Sequence, residues 1–335
     1  MAPAIAPIAL TMGEPGGIGG EIAVKAWNAL KATGPAFFLI DDPDRIEALG
    51  APVATISAVG EAAEIFAARL PVLPLPLKVV AYPGVAAPAN AGLVSASVAQ
   101  AVTAALAGKA SAIVTNPIQK SSMIAGGFAF PGHTEYLDAL TEGSPMPAGR
   151  SRGPAMMLAA PGLRVVPVTV HIPLRRVAEI LTVDAIVDVG WLAAEALIHD
   201  FGLERPRLAV AGLNPHAGED GALGDEDARI IRPAIEALKR EGIEVAGPLP
   251  ADSMFHVDAR ARYDAAICMY HDQALIPVKT LAFHEAVNVT LGLPIVRTSP
   301  DHGTALDIAG KGLARPDSLI AAIRLAAEIA ARRAA

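Results

Sequence analysis

The sequence contains a single cysteine, Cys268, which excludes a disulfide within the chain and fits a reducing compartment. Aromatic residues make up only 4% of the 335 residues, so the core must be built from Ala, Val, Leu and Ile. Basic residues are dispersed and number 27 against 34 acidic ones, which gives a net charge of −7. This balance argues against nucleic acid as the main partner.

Signals for secretion or for a membrane span are also missing. The first ten residues, MAPAIAPIAL, lack the basic start of a signal peptide. The longest uncharged stretch, residues 79–108, contains prolines, Asn90, Gln100 and several serines and glycines, which favours a loop and a small-residue helix over a span. We therefore expect a soluble, cytoplasmic protein with no membrane partner.

Short apolar runs alternate with helical patterns along the whole chain, whose length predicts about two domains. The runs are apolar on both alternating faces, which is typical of parallel strands covered by helices on both sides. The strands are expected in APIALTMG and AFFLI and in residues 111–115, 163–170, 207–213 and 265–270, and helices over 60–70, 95–109, 184–202 and 225–242. Asp225 is the expected N-cap of the last helix and Gly242 its C-cap. This order predicts an α/β sandwich.

Three histidines follow three of these expected strands. His171 follows residues 163–170, His216 follows residues 207–213, and His271 follows residues 265–270. Ligands of open α/β sheets bind at the carboxyl ends of the strands. If the strands are neighbours, three imidazoles can converge there, as in a catalytic zinc or similar divalent-metal site. The alternative is that each histidine is a separate, hydrogen-bonded loop residue.

A second group of polar residues suits an anionic ligand. Lys279 and Arg297 bracket Asn288 and Thr290, and an arginine can bind two phosphate oxygens at once. The turn PGHTE adds His133 and Thr134 as further donors. The alternative is that Lys279 and Arg297 are ordinary solvated surface residues.

The glycine-rich stretch TMGEPGGIGGE follows the first expected strand. Its Gly17, Gly19 and Gly20 do not meet the spacing of a dinucleotide-binding fingerprint. A tight strand-to-helix turn is the favoured interpretation.

The motifs GEPGGIG, TNPIQK, GHTEYL, GLNPHAGE, GPLPAD, MYHDQ and VNVTLGLPIVRTSPDHGTALDIAG occur in this order. Together they resemble the 4-hydroxythreonine-4-phosphate dehydrogenase family of pyridoxal phosphate biosynthesis, from about residue 8 to about residue 330. The resemblance implies a homodimer and a two-domain α/β/α sandwich like that of isocitrate and isopropylmalate dehydrogenases, with the active site in the cleft between the domains. It implies a cofactor-side domain, residues 1–130 with 300–335, and a metal, substrate and dimerisation domain, residues 131–299.

The resemblance also assigns roles to residues. It implies a zinc, magnesium or cobalt ion on His171, His216 and His271, at a site shared across the dimer interface. The substrate residues that it implies are His133, Thr134, Asp252, Lys279, Asn288 and Arg297. NAD or NADP would bind around His302, Gly303 and Asp307. Asp272, beside a proposed ligand, either orients an imidazole or faces solvent.

The implied reaction is the oxidation of 4-phosphooxy-L-threonine at C3 to 2-amino-3-oxo-4-phosphooxybutanoate, which decarboxylates to 3-amino-2-oxopropyl phosphate. The metal would lower the pKa of the C3 hydroxyl, and the nicotinamide would take the hydride. Open alternatives are a related dehydrogenase of a phosphorylated four-carbon sugar acid or of a terephthalate-type cis-diol, a metal-dependent hydrolase, and a non-catalytic protein that binds a metal or a phosphometabolite.

Overall fold

The computed structural model describes residues 5–76 and 78–334. Its strands are β1 (Ile8–Thr11), β2 (Phe37–Asp41), β3 (Val53–Thr55), β4 (Leu70–Pro74), β5 (Ile113–Val114), β6 (Ala155–Ala160), β7 (Leu163–Pro167), β8 (Arg207–Ala211), β9 (Glu244–Leu249), β10 (Ala265–Cys268), β11 (Val287–Leu291) and β12 (Arg297–Pro300). Its helices are α1 (Gly19–Leu30), α2 (Pro43–Glu47), α3 (Ala62–Ile65), α4 (Ala91–Leu106), α5 (Lys120–Ala125), α6 (His133–Thr141), α7 (Leu174–Ile180), α8 (Val183–His199), α9 (Arg232–Arg240), α10 (Val257–Arg260), α11 (His271–Ala282) and α12 (Asp317–Ala334).

The chain forms two compact units. The first contains the described residues up to Pro147 and those from Leu293 onward, and the second is Ala148–Gly292. Residues 131–147 and 293–299 thus lie in the first unit, whereas the sequence analysis assigns them to the second domain. The physical reason is that α6 buries Leu137 in the core of the first unit and that β12 pairs with β5. The roles expected of the two domains stay predictions.

The first unit contains a parallel sheet in the order β3-β4-β2-β1-β5-β12. All residues of β1, β2, β5 and β12 are buried, as expected for strands covered on both faces. Helix α4 contributes Val94, Val98 and Val102 to the core beside Phe38 of β2.

The second unit contains the strand order β11-β6-β7-β10-β8-β9. From β7 to β9 the pairing is parallel, but β6 runs antiparallel to both β7 and β11. Helix α11 packs Ala274, Leu275 and Val278 against this sheet. The all-parallel sheet favoured by the sequence pattern is therefore correct for the first unit and wrong for β6. A tight turn joins β6 to β7, and strands joined in this way must run antiparallel.

Two expected helices differ from the observed ones. The helix expected over residues 60–70 is shorter in the structure, where it is α3, because Leu70 already pairs with Val53 in the sheet. The helix expected over residues 225–242 begins as a π-helical turn, Asp227–Ile231, with Glu226 rather than Asp225 at its N-cap. Gly242 follows the end of α9 with a φ of +84°, as a residue beyond a helix C-terminus should.

One helical stretch, Pro88–Leu106, is long and apolar enough by length and composition to cross a membrane. Half of its most apolar window is buried inside the protein, and the α4 side chains form part of the core of the first unit. It is therefore a core helix, in agreement with the sequence analysis.

Candidate metal and substrate site

The strands that precede the three histidines are direct neighbours in the sheet. β10 pairs in parallel with β7 on one side and with β8 on the other. Because parallel strands end at the same edge, the segments that carry His171, His216 and His271 leave the sheet on the same side. The neighbour relation assumed from the sequence is thus observed. His271 is the first residue of α11, His171 lies in a bend, and His216 lies in a short 3₁₀ segment, Pro215–Gly221.

His171 and His271 lie side by side. Their ring centroids are 5.7 Å apart, with the planes tilted by 43°. Both rings line a cavity of about 450 Å³, together with Val170, Tyr270 and Asp272. The two imidazoles are therefore presented to one accessible space.

Asp272 is partnered with the His271 ring. Its Oδ1 lies 2.7 Å from His271 Nδ1. When Nδ1–H donates to this carboxylate, the tautomer of the ring is fixed and the lone pair of Nε2 is free for a metal. Of the two possibilities left open for Asp272, orientation of an imidazole is the one that this contact supports, although the side chain is also exposed.

The histidine pair fits a divalent ion. Imidazole–zinc bonds of about 2.0–2.1 Å bring the centroids of two ligating rings to roughly 5–6 Å from each other in a tetrahedral site. The observed separation of 5.7 Å lies in this range. Within the described ranges 5–76 and 78–334, however, no three or more His, Cys, Asp or Glu side chains form a group that could hold a metal. The assignment of His216 as a third ligand stays a prediction.

His216 lies in a left-handed turn that the sequence analysis describes only as sharp. The non-glycine residues His216, Ala217, Glu219 and Asp220 all have positive φ angles, between 39° and 54°. Such angles cost about 1–2 kcal/mol for each L-residue, so the turn needs external support. His216 itself is exposed.

Asp227 supplies this support, and the sequence analysis missed it. Its buried carboxylate accepts hydrogen bonds from the backbone N–H groups of Leu213, at 2.9 Å, and Asn214, at 3.1 Å. It also accepts one from Asn214 Nδ2 at 3.0 Å. In the sequence, Asp227 is an acid within an expected amphipathic helix. Such an acid is easily taken for a solvated surface charge, so its buried role is not evident.

The other expected substrate residues of the second unit are separated along the chain. Lys279 shares a cavity of about 380 Å³ with His271, Asp272 and Ile276 on α11. Asn288, in β11, has an enclosed Oδ1 with no hydrogen-bond partner among the residues described. Asp252 is exposed in a turn. Lys279 and His271 are thus the two that share one space.

In the first unit, the positive charge of Arg297 acts on the neutral ring of His133. Arg297 is only 4% exposed, and its Nε and Nη2 donate to Thr115 Oγ1 at 3.2 and 2.6 Å. Burial lowers the pKa of Arg297 to about 10, so it stays charged at neutral pH. Burial, and then the charges of Arg297 and Lys120, lower the pKa of His133 to about 3. Thr134 follows His133 in the first turn of α6.

The expected cofactor segment also lies in the first unit. His302 Nδ1 lies 3.0 Å from the carbonyl oxygen of Gly303, and its Nε2 is enclosed without a partner in the described part of the chain. Gly303 and Asp307 are exposed. An enclosed ring nitrogen beside exposed backbone is compatible with a polar ligand. The cofactor assignment stays a prediction.

The glycines of the glycine-rich loop are packed closely against other parts of the protein. A Cβ on Gly16 would stand 1.9 Å from the carbonyl oxygen of Val85, and one on Gly17 would stand 2.8 Å from that of Thr304. The backbone N–H of Gly16 donates to the buried carboxylate of Glu14 at 3.2 Å, and burial raises the pKa of Glu14. The glycines are thus needed for close packing, as the tight-turn interpretation predicts.

Comparison with solved structures defines the class. A 4-hydroxythreonine-4-phosphate dehydrogenase from Klebsiella pneumoniae superposes with a TM-score of 0.83 and 37% identity, covering 97% of this chain and 99% of that one. A terephthalate 1,2-cis-dihydrodioldehydrogenase from Burkholderia xenovorans LB400 superposes with a TM-score of 0.62 and 30% identity, covering 96% and 97%. The chain thus has the α/β fold of the isocitrate dehydrogenase-like enzymes.

The family follows from the sequence comparison. The family model of the pyridoxal phosphate biosynthetic protein PdxA matches residues 38–326. A relative named 4-hydroxythreonine-4-phosphate dehydrogenase, from Caulobacter vibrioides, is 52% identical over 329 residues, which cover 98% of each chain. The chain belongs to the PdxA family, and the resemblance described in the sequence analysis is confirmed.

Proposed function

We propose that the protein is an NAD(P)-dependent, metal-assisted 4-hydroxythreonine-4-phosphate dehydrogenase of pyridoxal phosphate biosynthesis. The observation that carries the proposal is the full-length identity of 52% with a relative of that name. The reaction oxidises the C3 hydroxyl of 4-phosphooxy-L-threonine to a ketone, with subsequent loss of carbon dioxide. We place the enzyme in the cytoplasm.

The substrate is held by residues of two kinds. Arg297 and Lys279 contribute charge, and His133, Thr134 and Asn288 contribute hydrogen bonds to the phosphate and its neighbours. His133 binds as a neutral ring, because its pKa of about 3 keeps it unprotonated at neutral pH. Asp252 completes the proposed set and suits the substrate amino group, since it is the one acid among them.

His171, His216 and His271 would hold the divalent ion, and Asp272 fixes the His271 ring by the contact at Nδ1. When bound, the ion supplies Lewis-acid polarisation of a hydroxyl or carbonyl group. A set of imidazole ligands suits zinc and similar transition metals such as cobalt better than magnesium, which prefers oxygen ligands. The oxidised nicotinamide would lie against His302, Gly303 and Asp307 and serve as hydride acceptor.

A second copy of the chain would complete the site. Leu174 and Ile276 are 68% and 63% exposed, and each lines one of the two cavities next to His271. Large apolar side chains exposed beside polar ligands are typical of surfaces that another chain covers. We therefore propose a homodimer whose interface includes α7 and α11.

A second candidate substrate is a cis-diol of the terephthalate type, because one similar structure carries that name. The ring carboxylates of such a diol can bind the buried Arg297 as a phosphate can, so this arginine does not separate the two substrates.

The replacement His216→Ala tests the metal site, with His284→Ala as the matched control. Metal content measured by mass spectrometry and turnover of the phosphorylated substrate should both fall in the first variant and persist in the second. A folded His216→Ala dimer that retains both would remove His216 from the site and leave the dehydrogenase assignment standing.

A further inference from the structure

Gln119 connects two segments of the first unit that are far apart in the sequence. It is the N-cap residue of α5, in the segment that follows β5. Its Oε1 accepts a hydrogen bond of 2.9 Å from Thr304 Oγ1, 185 positions further along the chain. Thr304 is only 7% exposed and directly follows His302 and Gly303, the start of the expected cofactor segment. A side chain of one loop therefore holds the loop that we expect at the cofactor.

The backbone of the expected cofactor segment is strained next to Thr304. Ala305 has a φ of 45° and a ψ of 52°, a left-handed conformation that is unfavourable for a residue with a Cβ atom. This turn leads from Gly303 to the short 3₁₀ segment Leu306–Ile308, which contains Asp307. Strained conformations persist only where the surrounding contacts impose them. The contacts that fix Thr304 therefore also stabilise the positions of Gly303 and Asp307.

Thr304 is held at its backbone and at its side chain. Its carbonyl oxygen accepts the backbone N–H of Ile18 at 3.0 Å, and a Cβ on Gly17 would stand 2.8 Å from the same oxygen. Its hydroxyl donates to Gln119. Any residue except proline can supply the backbone N–H at position 18, whereas the hydroxyl needs an acceptor of suitable length at position 119. The contact with Gln119 is therefore the one that depends on the type of side chain.

We propose that Gln119 is a positioning residue for the nicotinamide cofactor. Through Thr304 it keeps the turn at Ala305 formed before the cofactor binds, so that binding does not have to order this turn. Both ends of its amide are used within the protein, because Oε1 accepts from Thr304 and Nε2 donates to Ser121 Oγ at 3.2 Å. This inference rests on the proposed function and deepens it.

Calorimetric titration with NAD, and in parallel with NADP, measures this role without turnover. Gln119→Met keeps the length of the side chain but removes the acceptor. It should raise the dissociation constant about three- to tenfold, the range for one hydrogen bond. Thr304→Val removes the donor and should have the same effect. The double variant should lose no more than either single variant, because both replacements remove the same hydrogen bond.

Two further variants and the kinetics separate positioning from a general loss of structure. Ser121→Ala removes only the contact of Gln119 Nε2, and Thr304→Ser keeps the hydroxyl, so both should bind the cofactor nearly as the wild type does. In Gln119→Met, KM for the cofactor should rise while KM for the phosphorylated substrate stays unchanged. The midpoint of thermal unfolding without cofactor should fall by no more than about 4 °C.

Equal cofactor affinity in the wild type, Gln119→Met and Thr304→Val would overturn the role of Gln119 and leave the dehydrogenase assignment standing. Additive losses in the double variant, or an equal loss in Ser121→Ala, would also overturn it. If cofactor affinity depends on Gln119 and Thr304 but 4-phosphooxy-L-threonine is not oxidised, the proposed substrate fails and the positioning role stands. A wild type that binds neither nucleotide would overturn both.

Discussion

At the scale of single residues, the site depends on groups whose geometry is imposed by their neighbours. His216 is the clearest example, because four non-glycine residues of its turn have positive φ angles. The conformation persists because Asp227 holds the chain just before the turn by accepting the N–H groups of Leu213 and Asn214. The position of His216, which we propose as a metal ligand, is thus set by an acid that holds the preceding residues.

The replacement Asp227→Asn should destabilise the protein by about 1–3 kcal/mol, because one buried backbone N–H loses its acceptor. It should also weaken metal binding, since the His216 turn relaxes. Thermal unfolding and metal titration measure the two effects. Asp225→Asn is the control, because Asp225 is exposed and forms its ion pair with the exposed Arg229. Equal behaviour of the two variants would contradict a specific role of Asp227.

His133 should remain unprotonated through the physiological range. Its pKa is lowered to about 3, so the folded protein takes up no proton at this ring between pH 8 and pH 5. The unfolded chain does take one up near pH 6.5, and this ring therefore makes the fold less stable as the pH falls below that value. An NMR titration, with the His133→Gln variant to assign the signal, should show no midpoint above pH 5. A midpoint near 6.5 would contradict the enclosed site.

At the scale of elements, the sequence predicts the strands that carry the histidines but not their ends. Residues 163–170, 207–213 and 265–270 were expected as strands, and each observed strand stops two or three residues earlier. The alternation of apolar residues continues past the last ladder hydrogen bond, because the following loop is still partly buried. The antiparallel direction of β6 was not predicted, since an apolar pattern does not encode the direction of a strand.

Helix α11 joins the predicted metal and substrate functions in one rigid element. His271 begins it, and Lys279 lies two turns further along, in a shared cavity. Asp272→Asn should reduce metal affinity by about tenfold to a hundredfold, because the His271 ring loses its charged partner. Competition with a chromophoric chelator measures this affinity. Asp258→Asn, at an exposed position of α10, should leave it unchanged, and an unchanged affinity in Asp272→Asn would remove Asp272 from the orienting role.

At the scale of the molecule, the sequence predicts two α/β units but not the way the chain divides between them. The sequence analysis assigned residues 131–147 and 293–299 to the metal, substrate and dimerisation domain. Packing decides otherwise, because α6 and β12 complete the first unit. The proximity of Lys120 to His133 was missed for a similar reason. Only the fold brings the start of α5 to the start of α6, and no spacing in the sequence shows this.

The proposed homodimer gives a prediction about α11. Ile276→Glu should shift the protein from dimer to monomer in sedimentation velocity, because a carboxylate would be buried in an apolar interface. Turnover should fall with dissociation. Ile124→Glu, at a position 59% exposed on α5 of the first unit, should remain dimeric and active. A monomeric wild type, or a dimeric Ile276→Glu, would contradict the proposed interface.

The most direct test of the proposed function is a coupled measurement of reduced nicotinamide and carbon dioxide. The purified protein is mixed with a divalent metal, NAD or NADP, and 4-phosphooxy-L-threonine, with a terephthalate-type cis-diol and a phosphorylated four-carbon sugar acid in parallel. We predict that reduced nicotinamide and carbon dioxide appear in equal amounts with the phosphothreonine-like substrate and that a chelator abolishes both. Turnover of the cis-diol or the sugar acid alone, or hydrolysis without reduced nicotinamide, would contradict the proposal.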